Sequence, residues 1–98
     1  KPACVFTSSG SMHGGQESTL LTMLPPLFHH GMMIMGLANA NPALSNTKSG
    51  GTPYGASHVS GPRHDLGLSQ DEKVLCVEQG KCLGKMAQKL QAGASLIA

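Results

Sequence analysis

Apolar residues in this chain fall into separate blocks, and the spacing inside each block predicts a different element. Ala3-Cys4-Val5-Phe6 is a continuous apolar run, too short for a helix and without the alternation of a half-exposed strand. It predicts a strand covered on both faces, as in a parallel sheet. A polar, glycine-rich stretch from Thr7 to Gly15 reads as a loop. From about Gln16, the residues Leu20, Leu21, Met23, Leu24, Leu27 and Phe28 recur at three-and-four spacing, the period of a helix with one apolar face. Pro25 and Pro26 interrupt that pattern; they remove backbone donors and crowd the preceding turn, which predicts a kink or short break near Met23–Leu24. Gly31 suits the left-handed position just past a helix end, and so places His29 and His30 in the last turn. Met32-Met33-Ile34-Met35 then predicts a second short buried strand. Residues 1–37 thus read as a βαβ unit.

Residues 38–68 read as one long loop, with Asn-Ala-Asn-Pro, Ser-Gly-Gly-Thr-Pro-Tyr-Gly and Ser-Gly-Pro as its punctuation. A structureless stretch of that length in a small domain is usually functional when ordered. Ser69-Gln70-Asp71-Glu72 is a capping box, with Ser69 as N-cap and Glu72 at N3. It opens a helix over 69–92 whose apolar face runs through Leu75, Cys82, Met86 and Leu90, edged by Val74 and Leu83. Gly80 and Gly84 cost that helix propensity, and the tail from Gly93 to Ala98 is expected to fray or dock weakly. Two parallel strands do not make a stable sheet, and the pattern offers no clear third.

Composition narrows the function classes. At 98 residues the chain is at most one small domain, and its few aromatics (Phe6, Phe28, Tyr54) leave the core to Leu, Met, Ile and Val. A formal charge of +2 without a basic stripe speaks against nucleic acid. The longest apolar run, Gly31 to Ala38, is too short to cross a membrane, and nothing at Lys1 resembles a signal peptide. Cys4, Cys76 and Cys82 form no C-x-x-C pair and read as reduced thiols, two of them half-buried, in a cytoplasmic protein. Met32, Met33 and Met35 near the histidines match no metal cage and read as core filler. Asp71 and Glu72 are accounted for by capping, and no Ser/His/Asp arrangement stands out for hydrolysis.

The strand, small-residue loop and helix start over residues 1–30 are the form a backbone takes to approach a flat or phosphorylated ligand closely. Three loops carry a specific resemblance: Ser-Ser-Gly-Ser-Met-His-Gly-Gly-Gln-Glu (8–17), Phe-His-His-Gly-Met (28–32) and Gly-Gly-Thr-Pro-Tyr-Gly-Ala (50–56). In this order and register they resemble the C-terminal half of WrbA-type proteins, flavodoxin-like FMN-dependent NAD(P)H:quinone oxidoreductases. The resemblance reaches to about Leu90.

That resemblance implies an α/β fold, a partial flavodoxin-like βαβ unit plus a C-terminal helix, with the parallel sheet completed by another chain. It implies FMN contacts from Ser8, Ser9, Gly10, Ser11, Met12 and His13, with Met12-His13 standing where many members carry glycines. It places His29 at the isoalloxazine ring, as the residue orienting a quinone or managing a proton. The 50–55 loop belongs by the same likeness to the active-site rim and subunit contacts. The phosphate-binding first loop of the family has no counterpart in these residues. Two readings follow: a piece of a quinone reductase using NAD(P)H, or a truncated non-catalytic half-domain that acts as a homo-oligomer, dimer or tetramer, through its exposed sheet edge.

Overall fold

A computed structural model describes residues 1–38 and 40–97, with side chains described as far as residue 94. The backbone runs β1 (Pro2–Ala3), β2 (Phe6–Ser9), α1 (Gln16–Thr22), α2 (Leu24–His29), β3 (Met33–Ile34), α3 (Pro42–Asn46), β4 (Ala56–Val59) and α4 (Gln70–Ile97). All paired strands are parallel: β1 with β3, Pro2 opposite Met33, and β2 with β4, Phe6 opposite Ala56 through Ser9 opposite Val59. The architecture is α/β, with short parallel strands and a C-terminal helix, as expected of a partial flavodoxin-like fold.

β1 and β2 are one extended segment broken at Cys4–Val5, and β3 and β4 are one strand split in two against it. Along a strand, alternate carbonyls point to the same edge. Here Lys1 and Ala3 carbonyls accept from Met33 and Met35 N–H, and the Ser9 carbonyl accepts from Ser60 N–H. Both halves therefore lie on one edge, and α3 lies between them in the chain. At the break the Gln79 amide of α4 stands in for the missing ladder rung. Its Nε2 donates to the Val5 carbonyl at 2.9 Å, and its Oε1 accepts from Ala56 N–H at 2.7 Å. Among the described residues no strand pairs with the opposite edge of β1–β2.

The local expectations from sequence hold where they rest on local chemistry. The helical pattern breaks at Met23, between α1 and α2, just ahead of the two prolines. Gly31 takes φ 70°, and the Gly31 and Met32 N–H groups donate back to Phe28 and Leu27 carbonyls, closing α2 in a Schellman motif. The Ser69–Glu72 capping box forms in both directions: Ser69 Oγ accepts from Glu72 N–H at 3.1 Å, and Glu72 Oε1 accepts from Ser69 N–H at 2.7 Å. All three cysteines are free, with Cys4 and Cys82 half-buried and Cys76 exposed.

Elsewhere the structure corrects the expectation. Phe6 is 72% exposed, so the first strand is not covered on both faces, and the strand continues through Thr7, Ser8 and Ser9 where a loop was expected. Met33 is exposed, so the second strand is only half-buried. The 38–68 segment is not structureless: it holds α3, capped by Asn41 Oδ1 on Ala43 N–H and opened by Pro42, and it holds β4, the missing partner strand. α4 continues past residue 92 to Ile97; Ala98 lies outside the described residues.

The main core is small and sits where α3, β4 and α4 meet, built from Leu37, Ala43, Ala56 and Leu75, with Leu44 against it. Leu20 of α1 is fully buried as well. The buried face of α4 is Glu72, Leu75 and Gln79, continued by half-buried Cys82, Leu83 and Met86. Two of its three buried residues are polar, and each is buried because it completes backbone hydrogen bonds of the sheet and loops beside it.

Candidate functional site

The first loop motif sits at the end of β2. Ser8 and Ser9 are the last residues of the strand, and Gly10 to Gly15 form the turn into α1. Ser9 Oγ donates to the Ser11 carbonyl at 2.6 Å, and Gly14 N–H reaches the same carbonyl. Behind the turn, buried Gln16 donates both amide hydrogens, one to Ser9 Oγ at 2.7 Å and one to the His58 carbonyl of β4 at 3.0 Å. The N–H groups of Ser11, Met12 and His13 make no hydrogen bond to a described residue, and all three residues are exposed.

The third loop motif lies opposite. Residues 47–55 fold on their own hydroxyls: Thr47 Oγ1 donates to the Gly50 carbonyl, Ser57 Oγ accepts from Gly51 N–H, and Thr52 Oγ1 donates to the Gly55 carbonyl. Gly50 is required by close approach, since a Cβ there would run into the Ser57 carbonyl and the Glu72 carboxylate. The two loops border an open cleft of about 510 Å³, with Met12, His13 and Glu17 on one side and Ser49, Gly51 and Thr52 on the other. A second cleft of about 520 Å³ lies across the ridge, where Gly10, Ser11 and Met12 face Gly61, His64 and Leu66. Met12 borders both. No Lys or Arg borders either, and Glu17 lies at the first.

Of the residues expected to form the site, the structure brings Gly10, Ser11, Met12 and His13 together on this ridge. Ser9 lies beneath it as a support. Ser8 instead borders an apolar recess with Phe6, His58, Leu68 and Cys76. His29 is exposed at the last position of α2 and borders neither cleft. The donor set suits the ring and hydroxylated chain of a flavin, with unpaired backbone N–H groups, hydroxyls and one thioether. It does not suit a phosphate, which calls for cations or a long helix N-terminus.

Beside the clefts lies a buried polar hub that sequence reasoning reached only in part. Glu72 is 1% exposed, and its carboxylate makes three contacts besides the capping-box bond to Ser69 N–H. Oε2 accepts from Gly50 N–H at 2.9 Å and Val59 N–H at 2.8 Å; Oε1 takes Ser69 N–H and meets His58 Nδ1 at 3.1 Å. Burial by itself would raise the carboxyl, but the bonds from Ser69, Val59, His58 and Gly50 outweigh it and hold the pKa down to about 2. His58 Nε2 meets the Leu66 carbonyl at 3.0 Å, so both ring nitrogens face acceptors. Desolvation and the Glu72 charge push the nearby Cys76 thiol up. Capping accounted for Glu72 in the sequence, and nothing there signalled its reach to Gly50 and Val59. Gln79 did leave a signal, as a polar residue at a core-facing position between Leu75 and Cys82.

No family model matches the chain. Among curated proteins it is similar to an NAD(P)H dehydrogenase (quinone) from Chromohalobacter salexigens, 42% identical over 87% of this chain and 43% of the relative. The protein of that name from Methanosarcina barkeri is 41% identical over 92% of the chain and 44% of its own length. The one from Rhizobium rhizogenes is 43% identical over 94% and 47%. The chain spans a little under half the length of these relatives. By sequence, then, the chain is homologous to a little under half of proteins named NAD(P)H dehydrogenase (quinone), which is consistent with the C-terminal half of the WrbA-type proteins that its three loops resemble.

Proposed function

We propose that this chain supplies one wall of the flavin site in an FMN-dependent NAD(P)H:quinone oxidoreductase acting in the cytoplasm. The reading is carried by the ridge of Gly10, Ser11, Met12 and His13, which lines two clefts, the first of them shared with the 49–52 loop, and whose Ser11, Met12 and His13 N–H groups have no partner among the described residues. A bound flavin supplies hydride acceptance from NAD(P)H and two-electron reduction of a quinone. The chain's own part is to hold that ring. Ser11, Met12 and His13 N–H groups donate to its polar edge, the Met12 side chain covers an apolar portion, and Ser8 and Ser9 set the strand end from which the ridge rises. His29 is the proposed catalytic side chain, orienting the quinone or holding a proton at its ring nitrogen. Because it borders neither cleft, it acts on a site completed by a neighbouring subunit or by the other half of the domain.

A second reading rests on the bare edge of β1–β2 and on Phe6 beside it. An unpaired parallel edge next to an exposed phenyl ring favours association, so the chain is proposed to form a homo-oligomer through that edge. No helix among the described residues is long and apolar enough to cross a membrane.

One experiment addresses both. The chain is passed over a sizing column after incubation with excess FMN, and the visible spectrum is recorded across the elution and in an equilibrium titration. The expected result is a concentration-dependent dimer whose flavin band shifts on titration, with a Kd of about 0.1 mM or weaker because no cation holds the phosphate. Absence of any flavin perturbation at millimolar FMN, in every oligomeric state, sinks the first reading. A monodisperse monomer sinks the second.

A further inference from the structure

We propose that Gln16 is the positioning residue of the ridge: through Ser9 it fixes the Ser11–Met12 peptide so that Met12 N–H faces the clefts. The inference rests on the flavin-wall reading for its ligand, but its structural content stands on the hydrogen bonds alone.

Gln16 Nε2 has two hydrogens, and the structure uses both. One goes to the His58 carbonyl on β4 and the other to Ser9 Oγ. Because Ser9 Oγ accepts there, its own hydrogen is left for the Ser11 carbonyl, 2.6 Å away. The direction of the whole relay is therefore set by the amide: amide N–H to hydroxyl, hydroxyl to carbonyl. Gly14 N–H converges on the same carbonyl at 3.3 Å, so the Ser11 oxygen is turned inward by two donors. In a planar trans peptide the C=O and the following N–H point in opposite directions. Turning the Ser11 carbonyl inward therefore turns Met12 N–H outward. Met12 is the residue that borders both clefts, and its N–H has no described partner. A carbonyl oxygen or ring nitrogen on a bound flat heterocycle is the acceptor such a donor fits.

Gln16 is nearly fully buried, whereas its neighbours Gly15, Glu17 and Ser18 are exposed. Its burial anchors no apolar core; it serves this relay and the tie to β4. Glu at the same position would keep size and shape but would accept from Ser9 Oγ rather than donate to it. The hydroxyl hydrogen would turn away from Ser11, releasing the peptide.

The test compares wild type, Gln16→Glu, Ser9→Ala and the double variant by amide NMR, with urea unfolding alongside. Both single changes are expected to shift the Met12 and His13 amides and speed their exchange, with the double variant no worse than either single. In Gln16→Glu the Met12 signal is expected to move back toward its wild-type position as the introduced carboxyl is protonated. FMN affinity is expected to fall about tenfold in each single variant, the loss of one aimed donor. Unchanged Met12 and His13 amides in a folded Ser9→Ala chain overturn the proposal, and so do additive effects of the two changes. Failure of all four proteins to perturb flavin overturns the flavin-wall reading instead, while the amide shifts still judge Gln16.

Discussion

Glu72→Gln is expected to destabilise the chain by about 2–4 kcal/mol, the order of leaving two buried backbone donors without an acceptor. The glutamate reaches Gly50, Val59, Ser69 and His58 at once, so it ties the 47–55 loop, the end of β4 and the first turn of α4 together. Gly50, Val59 and Ser69 each present a backbone N–H to it. An amide NH2 in place of Oε2 faces the Gly50 and Val59 N–H groups, and in place of Oε1 it faces the Ser69 N–H, so neither orientation of the amide meets every donor. A small domain with a total stability of about 5–15 kcal/mol loses a large share of it to this one change. Urea unfolding at neutral pH measures it. Asp71→Asn in the same helix turn is the control, expected to cost about 0.5 kcal/mol through the helix dipole. A Glu72→Gln cost no larger than that of Asp71→Asn refutes the role.

The same carboxyl predicts the acid limb. Its folded pKa of about 2 lies below the ordinary 4.5, so the unfolded chain binds the proton more tightly. The stabilisation is fully present above about pH 4.5 and is lost as the pH falls through the interval down to 2. From the size of the depression it amounts to about 3 kcal/mol. Wild type should therefore lose stability steeply over that interval, and Glu72→Gln should show a flatter curve there.

The features legible in the sequence are those whose cause is local. Pro25 and Pro26 forbid a continuous helix whatever surrounds them, Gly31 is needed for a left-handed cap, and Ser69–Glu72 close their own box; the structure shows all three. The residues of the ridge were legible too, because its loop is a contiguous motif. What was hidden depends on partners far along the chain. Ala-Ser-His-Val of β4 has none of the apolar run that marks a buried strand; it becomes one because β2 offers a ladder in register, fifty positions away in sequence. Phe6 appeared to be a core residue because it closes an apolar run, yet its side chain projects from a strand with an unpaired edge. Gln16 and Gln79 look like ordinary polar residues until the backbone groups they serve are brought beside them.

Gln79→Leu is expected to cost about 2–4 kcal/mol, because it removes the one partner that each of two buried backbone groups has among the described residues. The Val5 carbonyl and the Ala56 N–H sit where the split strand meets the break between β1 and β2, and both residues are nearly fully buried. Water cannot replace the amide there without opening the contact of α4 on the sheet. Only one orientation of the amide serves both groups, nitrogen to Val5 and oxygen to Ala56, which makes Gln79→Glu the sharper probe. The ionised carboxylate still accepts from Ala56 N–H but turns a second oxygen toward the Val5 carbonyl. Protonated, it donates to that carbonyl and restores the rung. The introduced group therefore has a folded pKa raised above its unfolded value, so the variant's deficit is full at neutral pH and shrinks as the pH falls toward the carboxylate range. Urea midpoints of wild type, Gln79→Leu and Gln79→Glu between pH 7 and 5 give the answer. A gap between wild type and Gln79→Glu that narrows on acidification, beside a gap to Gln79→Leu that does not, establishes the amide as the rung joining the two halves of the strand. Parallel curves for both variants would mean that Gln79 merely fills space.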